Sequence, residues 1–196
     1  MTAEPLARRV LRSDAVATRQ RIIEAAIRLA RRSSIESLTM RDIARAAGVS
    51  VATAYTYFAS KQHVYAEAYA EGARTLTERL RARPPRGATP ADRVASVFRR
   101  AVQGVGETGD VVQAMAIALA SSDPAVARVR PSVEAAFEEW MELALGDAVI
   151  PERAEVVRAL QLTMFGGFVA MAHGRLSLAD AARVFDVAVR RLLAGA

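Results

Sequence analysis

Small and hydroxyl-bearing side chains are concentrated in residues 51–58, and their types suit contact with DNA. Helical spacing places one set on a common face: Ala52, Thr53, Thr56 and Tyr57. The opposite face, which we expect to pack onto neighbouring helices, carries Val51, Ala54, Tyr55 and Phe58. The first face holds no acid, so it can enter a major groove about 12 Å wide. It also lacks Arg, Asn and Gln, so we expect DNA shape and water-mediated contacts to supplement direct base recognition.

This segment is predicted to be the second helix of a helix-turn-helix. The first helix spans Met40 to Ala47, begins after a Thr39 and Asp42 pair typical of a capping box, and ends at Gly48. Glycine tolerates the left-handed conformation that a sharp turn requires, and Ser50 can cap the following helix. Two helices of about two turns each, joined in this way, have the lengths and turn chemistry of the motif.

Positive charge is concentrated in the first part of the chain. Residues 1–83 contain 15 Lys and Arg against 8 Asp and Glu, whereas residues 84–196 contain 12 and 13, within a net charge of +6. This asymmetry favours a polyanionic partner for the first part, and a solvated basic tail is the alternative. We expect Lys61 and the amides at the helix starts after Thr39 and Ser60 to contact phosphate oxygens.

The whole chain is expected to be all-α, because apolar residues recur three and four positions apart and alternating Val, Ile and Thr runs are missing. We expect residues 1–60 to form a three-helix DNA-binding domain. Residues 61–196 are expected to form a helical ligand-binding and dimerisation domain, and its long first helix joins it to the DNA-binding domain. The predicted helices are Asp14–Arg32, Met40–Ala47, Val51–Phe58, Lys61–Arg81, Pro90–Gly106, Asp110–Ser121, Pro124–Leu145, Pro151–His173 and Leu178–Leu193.

Catalytic, cofactor and membrane functions find little support. The chain has no cysteine, and His63 and His173 lie in different predicted helices without the spacing of a metal or nucleophile motif. The acids Glu138, Glu139 and Glu142 are typical of a solvated helix face. Phosphate-binding glycine motifs are absent, so we expect no nucleotide cofactor. The missing metal-ligand spacing likewise leads us to expect no metal. Without a signal-like start or a membrane-length apolar segment, the protein is expected to be soluble and cytoplasmic, with no membrane partner.

Large, adaptable apolar side chains in the second half could line a cavity for a bulky hydrophobic ligand. They are Phe98, Met115, Phe137, Trp140, Met141, Met164, Phe165 and Phe168. Ordinary core packing is the alternative for each of them. Polar anchors are few, and the candidates are Gln113, Arg158 and Gln161.

The last two predicted helices could pair with their copies in a four-helix dimer interface. Its predicted residues are Gly166, Gly167, Ala170, Phe185, Val189 and Leu192. Gly166 and Gly167 could equally kink the helix or widen a pocket. In the long helix that begins at Lys61, Gly72 could be a point of flexibility or the site of a crowded helix crossing.

The stretch SLTMRDIARAAGVSVATAYTYFASKQHVYAEAY, with the preceding TRQRIIEAAIRLARRSS, resembles the DNA-binding signature of the TetR family of transcriptional regulators. The resemblance implies a homodimer that binds a palindromic operator and releases it when a small molecule enters the second domain. By position, it assigns operator contacts to Thr39, Ser50, Val51, Ala52, Thr53, Tyr55, Thr56, Tyr57 and Lys61.

LRSDAVATRQRI, GVSVATAYTYFASK and GATPADRV further resemble repressors of steroid and cholesterol catabolism, whose ligands are coenzyme A thioesters. The expected function is therefore a ligand-responsive regulator, most simply a repressor. The alternatives are a DNA-binding architectural protein that tolerates any sequence and, with less support, a helical enzyme.

Overall fold

The structure is a computed structural model, and it describes residues 6–105 and 109–194. Over these ranges the chain forms helices and no strand, as the apolar spacing predicts. The helices are α1 Leu6–Ala30, α2 Met40–Ala47, α3 Val51–Tyr57, α4 Lys61–Ala82, α5 Pro90–Val105, α6 Gly109–Leu119, α7 Pro124–Leu145, α8 Arg153–Ala172 and α9 Leu178–Leu192.

Side-chain caps fix most of the helix starts at the predicted residues. Thr39 and Asp42 form a reciprocal capping box at α2, because each side chain bonds the other residue's backbone amide. Ser50 accepts from the Thr53 amide at α3, and Asp123 accepts from the amide of Ala125 at α7. These oxygens satisfy amides that a first helical turn leaves without partners.

Two helix starts differ from the prediction by more than one residue. The first helix begins at Leu6, eight residues before Asp14. The eighth begins at Arg153, not Pro151, because Glu152 adopts a left-handed conformation with φ of 50° and forms no side-chain cap. Residues 151–152 therefore belong to the preceding turn.

One hydrophobic core unites the first three helices with the first half of α4. Ile23 and Ala26 of α1 and Ile43 of α2 pack in it with Ala54 of α3, and Tyr65 of α4 lies fully buried among them. The Tyr65 hydroxyl donates to the Ala26 carbonyl oxygen at 3.1 Å, and burial raises the pKa of this phenol to about 12. The same core includes residues of α6 and α7, so the C-terminal helices support the helix-turn-helix directly.

A second core lies among α4, α5 and α7 to α9. Leu76 and Leu80 extend the buried side of α4 into it, and Trp140 donates its indole N–H to the Thr77 hydroxyl at 2.8 Å. The rings of Phe98 and Phe185 stack with centroids 4.0 Å apart, which joins α5 to α9. The two cores meet along α4 between Ala70 and Ala73.

By length and composition alone, the α8 segment Arg153–Met171 is long and apolar enough to cross a membrane. In the folded chain, 17% of its most apolar window is buried. Its exposed apolar residues include Leu162 and Phe165. An apolar helix face left open in one chain is also what a self-association surface requires.

The glycines of α4 and α8 have distinct surroundings. A β-carbon added at Gly72 or Gly166 would meet no atom within 4 Å, so crowding does not explain either residue. A β-carbon at Gly167 would lie 3.9 Å from the Ala181 β-carbon, where α8 passes α9 in ordinary contact. The α8 helix runs through both glycines without interruption.

Replacing Gly48 with alanine is expected to lower the free energy of unfolding by about 1 kcal/mol, because φ at this residue is +68°. Gly72→Ala is the matched control and is expected to raise stability by about 0.5–1 kcal/mol, since the site is helical and open. Urea unfolding followed by circular dichroism measures both changes. If both substitutions changed the free energy of unfolding equally and in the same direction, the backbone conformations assigned to the two glycines would be contradicted.

Candidate nucleic-acid interface and cavities

The α3 helix packs through a narrower face than its sequence spacing predicts. Ala54 and Phe58 are buried as expected, but Tyr57 is half-buried against the first core. Val51 and Tyr55 instead lie on the surface, 37% and 53% exposed. Their assignment to the packing face is therefore wrong, because burial is confined to Ala54 and Phe58, and the Tyr57 ring packs beside them instead.

The exposed face of α3 consists of Val51, Ala52, Tyr55 and Thr56, with Thr53 partly exposed. The Thr53 hydroxyl lies 2.8 Å from the Ser50 hydroxyl, and the Thr56 hydroxyl donates to the Ala52 carbonyl oxygen at 3.1 Å. These hydroxyls retain lone pairs that can accept from a base or a water. The surface is therefore small, acid-free and largely apolar, with the Tyr55 ring as its most prominent side chain.

Lys61 holds the turn before α2. Its ammonium group donates to the carbonyl oxygens of Ile35 and Leu38, both at 2.8 Å, and lies 3.4 Å from that of Glu36. Three carbonyls match the three donors of an ammonium group. Lys61 therefore links the start of α4 to the segment that presents Thr39, and a phosphate contact would require it to give up one of these bonds.

Exposed arginines on α2 are candidate interface residues that the sequence analysis missed. Arg41 and Arg45 are both exposed and lie one helical turn apart, beside the exposed Thr39. Arg45 lies 3.9 Å from Asp42, an acid whose pKa is lowered by hydrogen bonds from the Thr39 side chain and backbone. In a helix-turn-helix the first helix crosses the DNA backbone. The spacing of these two basic residues on α2 was therefore the signal from which phosphate contacts could have been predicted.

The junction between α3 and α4 is tied to the start of α7 by a polar contact. The Ser60 hydroxyl donates to the Asp123 carboxylate, which also accepts from the Ala125 amide at 2.7 Å. These bonds, Ser60 first, lower the pKa of Asp123. Nearby, His63 Nδ1 accepts from the Ala59 amide at 3.2 Å, and burial lowers the pKa of this imidazole. The starts of α4 and α7 are thus fixed to each other.

A cavity of about 430 Å³ opens between α7 and α8 and is here called the α7–α8 cavity. Five of the side chains proposed from the sequence as ligand contacts line it: Phe137, Trp140, Met164, Phe165 and Phe168. Arg158 and Gln161 also line it and supply polar groups. Tyr69 contributes a phenol whose pKa burial raises to about 12, so this hydroxyl remains protonated.

A second cavity of about 240 Å³, the α1–α4 cavity, lies where the two cores meet. Its wall includes Ile27 of α1, Glu71 and Gly72 of α4, and Met115 of α6. Tyr69, Trp140 and Phe168 line both cavities, so the two spaces are neighbours.

Two predicted ligand contacts lie elsewhere. Met141 is buried in the second core and lines none of the cavities described above. Phe98 lies against Phe185 and borders a separate cavity of about 210 Å³ between α8 and α9. Both side chains pack the core, which is the alternative that the sequence left open.

The predicted dimer residues divide between surface and core. Phe185 and Val189 are buried within one chain, so their assignment to a subunit interface is wrong. The reason is that α9 turns these residues toward α5, where Phe98 stacks on Phe185. The large exposed apolar residues of α8 and α9 are the candidate interface, here called the α8–α9 face: Leu162, Phe165, Leu178, Val184, Val187 and Leu192. Gly166 lies exposed on α8, and Gly167 and Ala170 are half-buried.

An exposed α3 helix on a helix-turn-helix, joined through α4 to a helical half with internal cavities, defines a helix-turn-helix transcriptional regulator. The family model for bacterial regulatory proteins of the tetR family matches residues 22–68, and that for the tetracyclin repressor-like C-terminal domain matches residues 87–192. The chain belongs to the TetR family of transcriptional regulators and, like that family, is not an enzyme.

Relatives and solved structures agree with this assignment. The chain is 32% identical to an uncharacterised HTH-type transcriptional regulator of Mycobacterium tuberculosis, over 92% of this chain and 82% of the relative. It is 27% identical to the transcriptional repressor KstR of Rhodococcus jostii, over 89% and 82%.

Among solved structures, a TetR regulator from Rhodococcus sp. RHA1 aligns with a TM-score of 0.78 and 28% identity, over 91% of this chain and 96% of that one. Thermus thermophilus FadR, a repressor in complex with lauroyl-CoA, aligns with a TM-score of 0.66 and 26% identity, over 90% and 94%.

Lys61→Met is expected to lower the free energy of unfolding by about 1–3 kcal/mol, because carbonyls of the turn before α2 lose their donors. DNA affinity should fall with the logarithmic salt slope unchanged. Arg45→Met is the control and should leave stability intact while making the slope shallower by about one. Urea unfolding and binding titrations over a salt series measure these effects. A shallower slope for Lys61→Met would show a direct phosphate contact instead.

Proposed function

We propose that this protein is a cytoplasmic repressor that binds a palindromic operator as a homodimer. The exposed, acid-free face of α3 is the observation that carries the DNA-binding role. Tyr55, Val51 and Thr56 would enter the major groove, while Thr39 and the arginines of α2 would lie along phosphates. The likeness to KstR repressors supports repression over activation.

The homodimer is supported by the α8–α9 face. Leu162 and Val187 are more than half exposed in one chain, and Leu162 and Phe165 recur at helical spacing on α8. Pairing this face with its copy would remove apolar surface from water and place the two α3 helices on one side of the dimer. Two-fold symmetry would then match two half-sites about one DNA turn apart, roughly 34–36 Å.

The effector that we propose is a bulky apolar molecule with a polar or anionic end, in the class of acyl- or steroid-CoA thioesters. The α7–α8 cavity supplies apolar walls, and Arg158 and Gln161 supply polar contacts. The likeness to FadR in complex with lauroyl-CoA supports this class. A ligand that fits better with α4 tilted would shift the population away from the DNA-binding spacing, with a coupling of about 1–3 kcal/mol.

The DNA-binding proposal is tested with duplex selected by the wild-type protein from a random library. Fluorescence anisotropy should show selected duplex binding about a thousandfold or more tighter than random duplex, and lauroyl-CoA should release it. Equal affinities for both duplexes would favour the architectural alternative. A protein–DNA complex that lauroyl-CoA does not release would contradict the proposed effector class.

Tyr55→Ala is expected to weaken binding to the selected duplex about tenfold and leave the melting temperature unchanged, because the ring is exposed in the free protein. Tyr57→Ala is the comparison, and it should lower the melting temperature because that ring packs on the first core. Anisotropy and thermal unfolding give the two readouts. Unchanged affinity of Tyr55→Ala would contradict the proposed docking of α3.

The double variant Leu162→Glu, Val187→Glu is expected to be monomeric at concentrations where the wild type is a dimer, because four charges would be buried in the symmetric interface. Val16→Glu is the control, since Val16 is exposed on α1 away from this face. Size-exclusion chromatography with light scattering measures the mass. A dimer that survives both substitutions would locate the interface elsewhere.

A further inference from the structure

Three arginines line the α1–α4 cavity, and they come from three separate parts of the chain. Arg31 follows α1, Arg79 lies near the end of α4, and Arg100 belongs to α5. Arg31 and Arg79 are exposed, and Arg100 is half-buried. None of the three belongs to α2 or α3, so the proposed DNA contacts leave this positive charge unassigned.

The described part of the chain does not neutralise these guanidinium groups. Within it, no Asp or Glu oxygen lies within 4 Å of a guanidinium nitrogen of Arg31, Arg79 or Arg100. Arg100 donates to the Arg83 carbonyl oxygen at 2.7 Å, but each guanidinium group carries five N–H donors. Donors around the cavity are therefore open to an acceptor from outside the chain.

Glu71 is the acid in the described part of the cavity wall. Its Oε2 atom has almost no accessible surface, so this oxygen does not face the cavity. The positive charges of the three arginines outnumber this one negative charge. The electrostatic preference of the cavity is therefore for an anion.

The rest of the wall is mainly apolar. Its buried members include Ile23, Leu76, Val111, Met115 and Phe168. The volume of about 240 Å³ lies below the range of about 300–1,000 Å³ that is typical of sites for drug-sized ligands. Buried apolar surface and exposed cationic groups on one small cavity suit a compact ligand with an apolar body and an anionic end.

We propose that the α1–α4 cavity binds a medium-chain amphiphile with an anionic headgroup, either a carboxylate or a phosphate, at a site separate from the α7–α8 cavity. The chain packs against Leu76 and Met115, and the headgroup accepts hydrogen bonds from Arg31 and Arg79. Planar guanidinium groups match both headgroups, because two parallel N–H donors can meet two oxygens. The site rejects an alkyl amine, since a cationic headgroup would meet the arginines.

The position of the cavity gives such a ligand contacts on both halves of the molecule. Ile23 belongs to α1, which packs in the helix-turn-helix core, whereas Trp140 and Phe168 belong to the C-terminal helices. A ligand that binds only the folded chain raises its melting temperature. This site needs neither an operator nor the proposed effector, so it is tested on the protein alone.

The headgroup is tested by isothermal titration calorimetry with octanoate and octyl phosphate. We expect at least one of these anions to bind and to raise the melting temperature. The uncharged 1-octanol and the cationic octylamine should bind about tenfold or more weakly, because neither offers oxygens with negative charge to the arginines. The two anions distinguish a carboxylate ligand from a phosphate ligand. Failure of both anions to bind, or equal binding of 1-octanol, would overturn the proposal.

Arginine substitutions locate the headgroup. Arg31→Met and Arg79→Met should each weaken binding of the tighter anion about tenfold, because a charged hydrogen-bond donor is lost. Arg74→Met is the control on α4, since Arg74 is exposed and does not line the cavity, and Arg158→Met is the control in the α7–α8 cavity. Both controls should bind as the wild type does. Weakening by Arg158→Met alone would place the anion in the α7–α8 cavity and overturn the assignment.

Gly72→Leu tests whether the chain of the ligand occupies the cavity. Gly72 lines the α1–α4 cavity and not the α7–α8 cavity, and an added β-carbon would meet no atom within 4 Å. The leucine side chain can therefore enter the space without lowering the melting temperature, and it should weaken anion binding about tenfold or more. Unchanged affinity for the anion in this variant would place the ligand outside the cavity.

Discussion

The α4 helix is buried in two hydrophobic cores at once, and the rest of the structure depends on this constraint. Tyr65 is fully buried in the core of the helix-turn-helix, and four turns later Leu80 is fully buried in the core of the C-terminal helices. Close-packed interiors transmit displacement because they contain few voids. A change in the position of α4 within the C-terminal core must therefore be accommodated in the half that presents α3.

Polar contacts at the start of α4 add to this connection. Ser60 at the start of α4 bonds Asp123 at the start of α7, and Lys61 bonds the turn that leads into α2. Ser60 and Lys61 lie at the start of α4, next to the helix-turn-helix, whereas the α4 residues that line the two cavities begin at Ala68. Glu71 and Gly72 occupy the boundary between the two cores on α4.

The sequence determined the order and type of the helices and the helix-turn-helix. The Thr39 and Asp42 box, the left-handed Gly48 and the Ser50 cap act over three or four residues, so local chemistry is sufficient to predict them. The cavity residues Phe137, Trp140, Met164 and Phe168 could be proposed from their size and adaptability. Their grouping in one cavity could not, because it depends on how α4, α6, α7 and α8 converge.

Tertiary packing decided which residues of each face are exposed. Tyr57 packs inward and Tyr55 outward because burial on a seven-residue helix is centred on Ala54 and Phe58, a rotation that periodicity in so short a segment does not define. Phe185 and Val189 became core residues because α5 covers them, and α5 lies more than 70 residues earlier in the sequence. Sequence spacing fixes which residues share a helix face, and only the neighbouring helices determine whether that face meets water, a ligand or another chain.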